Sequence, residues 1–466
     1  MKRVQEEYLE KWLNKKSRKP LVIRGARQVG KSTLVRNFAA AENLNIFEVN
    51  LERNLKLTSL FDAFDLSAIL NEIENICGKQ GVLGNNSVLF LDEIQAIPSA
   101  IAALRYFYED YPDLRVIAAG SLLELVLSNH SFSMPVGRIE YLFMGPMTFE
   151  EFLTAKKEDF LLNYIRTYRP DDLFSATVHD KIIHLLKDYF IIGGMPEAVQ
   201  SYIDESSYEE TSFVHTSIVE TYIDDFAKYA KGKMLQTLQK VFRYVGSSPG
   251  IKTKYSNIDP DTRSRELKSA IGLLEKANVI FPVYHSSASG IPLTSGKQSK
   301  TYKLFFMDIG LMNKICGIPQ ISIEEIKRVD FINKGSMAEQ FIAQHLFGMG
   351  GYNESPQLFY WLRENTNNNA ELDFVIQHNA RILPVEVKAG AKGSLKSLHR
   401  FAYEKKSEIA VRFDLNPPSI QDIETRIANS TENENIHYRL LSLPIYMVEQ
   451  MKRLLQSETE TEYSDH

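Results

Sequence analysis

The stretch Gly25-Ala26-Arg27-Gln28-Val29-Gly30-Lys31-Ser32 constrains this 466-residue chain more than any other. It fits the pattern GxxxxGK[ST], follows the apolar run Leu21–Arg24 and opens a helical pattern. A strand that runs through such a loop into a helix builds a phosphate cradle. Glycines let backbone N–H groups face the anion, and the helix N-terminus adds a positive dipole. Gly25, Ala26, Arg27, Gln28, Val29 and Gly30 form the expected loop. Lys31 is expected to reach the β- and γ-phosphates of a nucleotide and Ser32 to ligate Mg²⁺, with Thr33 the next cradle residue.

A second motif, Val88-Leu89-Phe90-Leu91-Asp92-Glu93, reads as a buried parallel strand whose acids emerge at its C-terminal end. Asp92 is placed to hold Mg²⁺ and Glu93 to polarise an attacking water, the placement that phosphoryl transfer needs. Two further residues join this set. Ser121, after Arg115–Ala119, either senses the γ-phosphate or attacking water, or caps a helix over Leu122–Leu127. Arg138 stabilises developing charge, in cis or across a subunit interface, or is a plain surface arginine.

The rest of the chain divides by its periodicity. Residues 1–145 alternate short apolar runs with helical patterns, which predicts a mostly parallel sheet with helices on its faces. The expected strands are Leu21–Arg24, Ile46–Leu51, Val88–Leu91, Arg115–Ala119 and Ile139–Phe143. Residues 146–230 are helical in pattern, broken at Gly193-Gly194-Met195-Pro196. In 231–325, helices at Met234–Val245 and Arg263–Ala277 precede strands at Val279–Tyr284 and Thr301–Phe306, the outline of a winged helix. The joint Ser286–Lys300 is expected to be exposed. Arg263, Arg265, Lys268, Lys297, Lys300 and Lys303 suit phosphate contacts on such a fold, although Glu266 and Glu275 dilute the charge. Residues 326–455 predict a helix at Ser336–Phe347, strands at Leu358–Leu362, Leu372–Gln377 and Ile382–Lys388, a helix near Leu395–Tyr403 and a strand at Glu408–Phe413. The acidic tail, 456–466, is expected to be disordered.

Composition closes off other classes. A hydrophobic fraction of 44% and a charged fraction of 24% exclude a disordered or collagen-like chain. Cys77 and Cys316 are too few for a disulfide framework and suit a reducing, cytoplasmic setting. No signal peptide or membrane-length apolar run is seen. A net charge of −5 does not suggest a general nucleic-acid coat, though a local basic groove is compatible with it.

The motif string resembles a prokaryotic family of AAA+-type ATPases with a C-terminal domain of unknown function. It runs through Arg24–Ser32, Leu91-Asp92-Glu93-Ile94-Gln95, Ala119-Gly120-Ser121, Val136-Gly137-Arg138, Gly193–Glu197 and Lys303–Leu311. The resemblance implies an α/β chain: a P-loop NTPase core (1–145), a helical lid (146–230), a winged helix (231–325) and a restriction-endonuclease-like domain (326–455). Ser32 replaces the commoner threonine and keeps the hydroxyl.

The last domain carries a second acidic set. Glu386 and Lys388 are two apart on one strand and so share a face, and a neighbouring strand can bring Asp373 beside them. Two carboxylates can then ligate Mg²⁺ or Mn²⁺, with the lysine orienting a water. A salt-bridged strand pair without metal is the other reading. The set resembles PD-(D/E)xK nucleases, in which Glu339 matches the acidic helix residue. Raised carboxylate pKa values are expected there from mutual repulsion. The expected whole is an Mg²⁺-dependent ATPase whose nucleotide state gates a nuclease-like domain that binds nucleic acid, DNA before RNA. The alternative is an ATP-dependent switch that engages a partner protein through the winged helix, with the C-terminal domain as an inactive scaffold.

Overall fold

The computed structural model describes residues 1–456 other than 83, 85, 122, 124–134, 136, 318–334, 351–352, 354–355, 364–369, 389–393 and 429–432. Two compact units result. The first takes residues 1–147 with 272–279 and 350–355, and the second takes the rest.

The first unit is built on five parallel strands: β1 (Leu21–Arg24), β2 (Asn45–Asn50), β3 (Ser87–Asp92), β4 (Arg115–Gly120) and β5 (Glu140–Phe143). Their order is β2-β3-β4-β1-β5, and every pairing is parallel. Parallel strands need helical crossovers, which are α2 (Lys31–Ala41), α3 (Thr58–Ala63), α4 (Leu66–Cys77) and α5 (Pro98–Asp110), preceded by α1 (Glu6–Leu13). Local chemistry sets the ends of α4: the Asp65 side chain accepts from the Ala68 N–H, and Gly78 turns the chain out at φ +62°. All six residues of β3 are buried, which explains its unbroken apolar run. One core contains Phe47, Val49, Leu89 and Leu91 of the sheet with Ile69, Ile73 and Leu104 of the helices. Each such side chain contributes ~1.5–3 kcal/mol by leaving water.

The second unit starts with helices α6 (Phe149–Ala155), α7 (Asp159–Thr167), α8 (Ala176–Ile192), α9 (Pro196–Glu205), α10 (Tyr208–Tyr229), α11 (Lys233–Ser247) and α12 (Tyr255–Ile258). Helix α13 (Ser264–Lys276), whose residues from 272 onward are counted with the first unit, strands β6 (Ile280–Ser286) and β7 (Lys297–Phe306) and helix α14 (Ile309–Ile315) follow. The chain closes with α15 (Gly335–Gly348), β8 (Leu358–Leu362), β9 (Glu371–His378), β10 (Arg381–Val387), α16 (Lys396–Lys405), β11 (Ile409–Asp414), β12 (Ser419–Ala428) and β13 (Asn433–Pro444). The eight strands form one mixed sheet in the order β12-β13-β11-β10-β9-β8-β6-β7. The β6–β7 hairpin therefore does not stand alone, because β6 pairs in parallel with β8.

Two expectations need correction here. The joint Ser286–Lys300 is not simply exposed: Ser286, Ala288 and Leu293 are buried, and Ala288 and Leu293 pack with Phe359 and Trp361. Strands β12 and β13 were not anticipated. The alternation of Ile423, Thr425 and Ile427 with exposed Asp422, Glu424 and Arg426 is the signal that would have shown β12.

A buried carboxylate ties the segments of this unit together. Asp308 accepts from the N–H groups of Gly194 (2.7 Å) and Leu311 (2.9 Å). On α15, Gln344 accepts from the Ile309 N–H, and Gln340 both accepts from and donates to the Phe306 backbone. The Gly193–Pro196 turn, the end of β7 and α15 thus share one polar centre.

Candidate nucleotide site and acidic pocket

The first site forms where β1 ends. Gly25 has φ +145°, and a Cβ there would collide with the Met144 carbonyl. Gly30 caps α2 at φ +93°, a conformation open to glycine. The Lys31 ammonium donates to the carbonyls of Gly25 (3.1 Å) and Ala26 (2.7 Å), so it lies inside the loop. An unforeseen residue braces it: Arg3, 5% exposed, donates to the carbonyls of Val29 and Gly145, each at 2.8 Å. Arg3 precedes the motif by more than twenty residues, and no local pattern marks it.

Asp92 ends β3, and its Oδ2 accepts from the Ser32 hydroxyl at 2.9 Å. Burial pushes the Asp92 pKa up, while the Ser32 hydrogen bond pulls it back. A hydroxyl and a carboxylate converging in this way suit a hard cation such as Mg²⁺. Glu93 sits at φ +51°, which is uncommon for a glutamate. The Gln95 amide donates to Glu93 Oε2 at 2.5 Å, and that amide packs where a side chain on Gly120 would have to go. Gln95 stands in the motif string, but its hold on Glu93 is not foreseen from it.

The register Arg24↔Gly120 makes Gly25 and Ser121 leave adjacent strand ends side by side. Ser121 is buried at this edge. Its helix-capping alternative falls on 122–127, of which only Leu123 is among the described residues. Arg138 differs. It precedes β5, whose Glu140 is in register with Leu21 at the start of β1. The cradle leaves the other end of β1, roughly 10 Å away along the strand. Arg138 instead pairs with Glu109 at 3.1 Å. Arg138 thus lies toward the strand-start edge of the sheet.

In the second unit, Lys388 pairs with Glu386, and Asp373 Oδ2 accepts from the Val387 N–H at 2.8 Å. The antiparallel register, Phe374↔Val385, continued by one residue sets Asp373 alongside Glu386. The described structure therefore brings Asp373, Glu386 and Lys388 together. Glu339 of α15 belongs to the same pocket through Lys303, whose Nζ stands 3.5 Å from Glu339 and 4.0 Å from Asp373. Burial pushes Glu339 up to about 8 and Glu386 up to about 7, with the Asp373 charge adding to both. Desolvation is thus the leading cause, ahead of the carboxylate repulsion expected from sequence.

The donor chemistry suits a divalent ion, and Glu386 Oε2 is buried without a hydrogen-bond partner. The arrangement does not: among the described residues no three or more His, Cys, Asp or Glu side chains are grouped to hold a metal. Lys303 was also expected among the basic residues for nucleic-acid phosphates. It is 3% exposed and held by carboxylates, so it is withdrawn from that set. Lys297 lies over the Tyr284 ring at 3.6 Å, whereas Arg263, Arg265, Lys268 and Lys300 are exposed.

The parallel sheet, its glycine loop and the Ser32–Asp92 pair define a P-loop NTPase core. Residues 17–153 match the family model of an AAA domain. Residues 183–322 and 334–436 match two domains of unknown function, DUF8612 and DUF4143. No curated protein matches the chain. Among solved structures, the Aeropyrum pernix ORC2 protein in ADPNP and ADP complexes aligns over 68% of this chain and 94% of its own, at 13% identity and a TM-score of 0.34. The Thermotoga maritima RuvB Holliday junction branch migration motor aligns over 59% and 89%, at 15% identity and a TM-score of 0.29. Among the described residues no helix is long and apolar enough to cross a membrane.

Proposed function

We propose that the chain is an Mg²⁺-dependent ATPase whose nucleotide state controls what the second unit binds. The observation that carries this is the convergence of Lys31, Ser32 and Asp92 at the end of β1. Lys31 would exchange the Gly25 and Ala26 carbonyls for β- and γ-phosphate oxygens. Ser32 and Asp92 would hold Mg²⁺, which neutralises phosphate charge when bound. Glu93 would accept a proton from the attacking water once the Gln95 amide lets it turn, and Ser121 would contact that water or the γ-phosphate. Arg138 would serve a neighbouring subunit. The reading is tested by single-turnover ATP hydrolysis, with and without DNA, in wild type and Glu93→Gln. DNA-stimulated turnover by wild type alone is the expected result.

The order α15, β8–β10, α16, β11 supports a nuclease-like reading of the C-terminal region, with nucleic acid as the bound partner and DNA preferred. Lys388 would orient water beside Asp373 and Glu386 if cleavage occurs. A second reading has its own support. The hairpin is joined to the eight-stranded sheet, and two of its lysines are already engaged. That favours the switch that docks a protein, and ATP-dependent capture of a protein without DNA stimulation would establish it.

A further inference from the structure

The acidic pocket of the second unit already contains a cation, and that cation is a side chain. The Lys303 ammonium lies 2.6 Å from Glu371 Oε1, 3.5 Å from Glu339 Oε2 and 4.0 Å from Asp373 Oδ1. It also stands 5.2 Å from the centre of the Tyr360 ring. Three acids from α15 and β9 therefore face one lysine delivered by β7.

The delivery is rigid. β6 pairs with β7 on one flank, with Val283 opposite Lys303. On the other flank the N–H groups of Gly250 and Thr253 donate to the carbonyls of Leu304 and Tyr302, bracketing Lys303. Gly250 is pressed against the pocket as well: at φ +72°, a Cβ there would lie 2.8 Å from Glu339 Oε2. The backbone that carries the ammonium is thus held on both flanks. Glu386 provides the independent sign that the pocket is built for a cation. It is 4% exposed beside Asp373, and its Oε2 has no hydrogen-bond partner.

A divalent ion needs several oxygens at about 2.0–2.6 Å. Placed between Glu339 and Asp373, it would sit next to a fixed ammonium in a setting of weak screening, where like charges repel strongly. We propose that Lys303 is the resident cation of this pocket and that it keeps Glu339 and Asp373 from a divalent metal ion, so that displacement of the β6–β7 hairpin is what opens the site. The proposal rests on the reading of Glu339, Asp373 and Glu386 as a potential metal-ligand set.

The test is a calorimetric Mn²⁺ titration of the full chain, with Asp373→Asn identifying the heat that belongs to this pocket. Lys303→Gln should bind Mn²⁺ at least about ten-fold more tightly than wild type at the Asp373-dependent site, the order expected when one adjacent positive charge is removed. Lys303→Arg should bind no more tightly than wild type. Equal affinity in wild type and Lys303→Gln overturns the role of Lys303 and leaves the metal-ligand reading standing. No Asp373-dependent binding in either protein overturns that reading and the proposal with it. If Lys303→Gln alone does not fold, Lys303→Met keeps the length of the side chain without its charge. It should show the same tightening, and wild-type affinity in it overturns the proposal.

Discussion

Arg3 ties the start of the chain to the phosphate cradle through the Val29 and Gly145 carbonyls. Losing two charged hydrogen bonds loosens the loop, so Arg3→Ala should weaken nucleotide binding about five- to ten-fold. Isothermal titration against wild type checks this, and unchanged affinity would make Arg3 a bystander. Lys31→Ala removes the cation that the motif itself provides and should abolish useful ATP binding by the same measurement. Glu93→Gln keeps the shape but cannot accept a proton. It should bind ATP normally and lower the single-turnover rate roughly 100-fold or more. A wild-type rate would remove Glu93 from the mechanism.

At the scale of elements, the joint between α6, α8, α14 and α15 carries a pH signature. The His345 Nδ1 contacts the Phe341 carbonyl, and its Nε2 accepts from the Phe149 N–H at 2.9 Å. Burial holds its pKa down at about 4, against an ordinary value of 6.5. Between those values the unfolded chain binds a proton that the folded chain refuses. Stability from His345 is therefore complete above pH 6.5 and is lost as pH falls toward about 4. The contribution is about 3 kcal/mol at most. His345→Gln should flatten the fall of Tm below pH 6.5, and an unchanged slope would assign it to other groups. Gly193 tests the same joint sterically. Its φ is +71°, and a Cβ would strike the Asp308 carboxylate. Gly193→Ala should cost more than ~2 kcal/mol in denaturant unfolding.

At the scale of the whole molecule, Arg138 distinguishes one chain from an assembly. Its position at the strand-start edge predicts that an inactive Lys31→Ala protein can lend its Arg138 to an inactive Arg138→Ala protein. Mixing the two should restore more ATP hydrolysis than the sum of both alone. No gain on mixing would make Arg138 a surface partner of Glu109.

The first sheet and its glycine loop are legible in the sequence. The cradle, the buried strand carrying Asp92 and the alternation of strands and helices are local patterns, and local patterns survive without knowledge of partners. Four of the five strands of the first sheet depart from expectation by one or two residues, and β1 not at all. Asp373, Glu386 and Lys388 were also legible, because a two-residue repeat and one hairpin suffice to assemble them. Tertiary structure decided the rest. Arg3 acts through contacts that no spacing encodes, and the edge on which Arg138 lies follows from strand register. Lys303 shows the difference most clearly. In the sequence it is one basic residue among several near a hairpin, while in the fold the pairing of β6 with β8 carries it into a ring of carboxylates. A charge has no fixed meaning until burial and its neighbours are known, and only the folded chain supplies both.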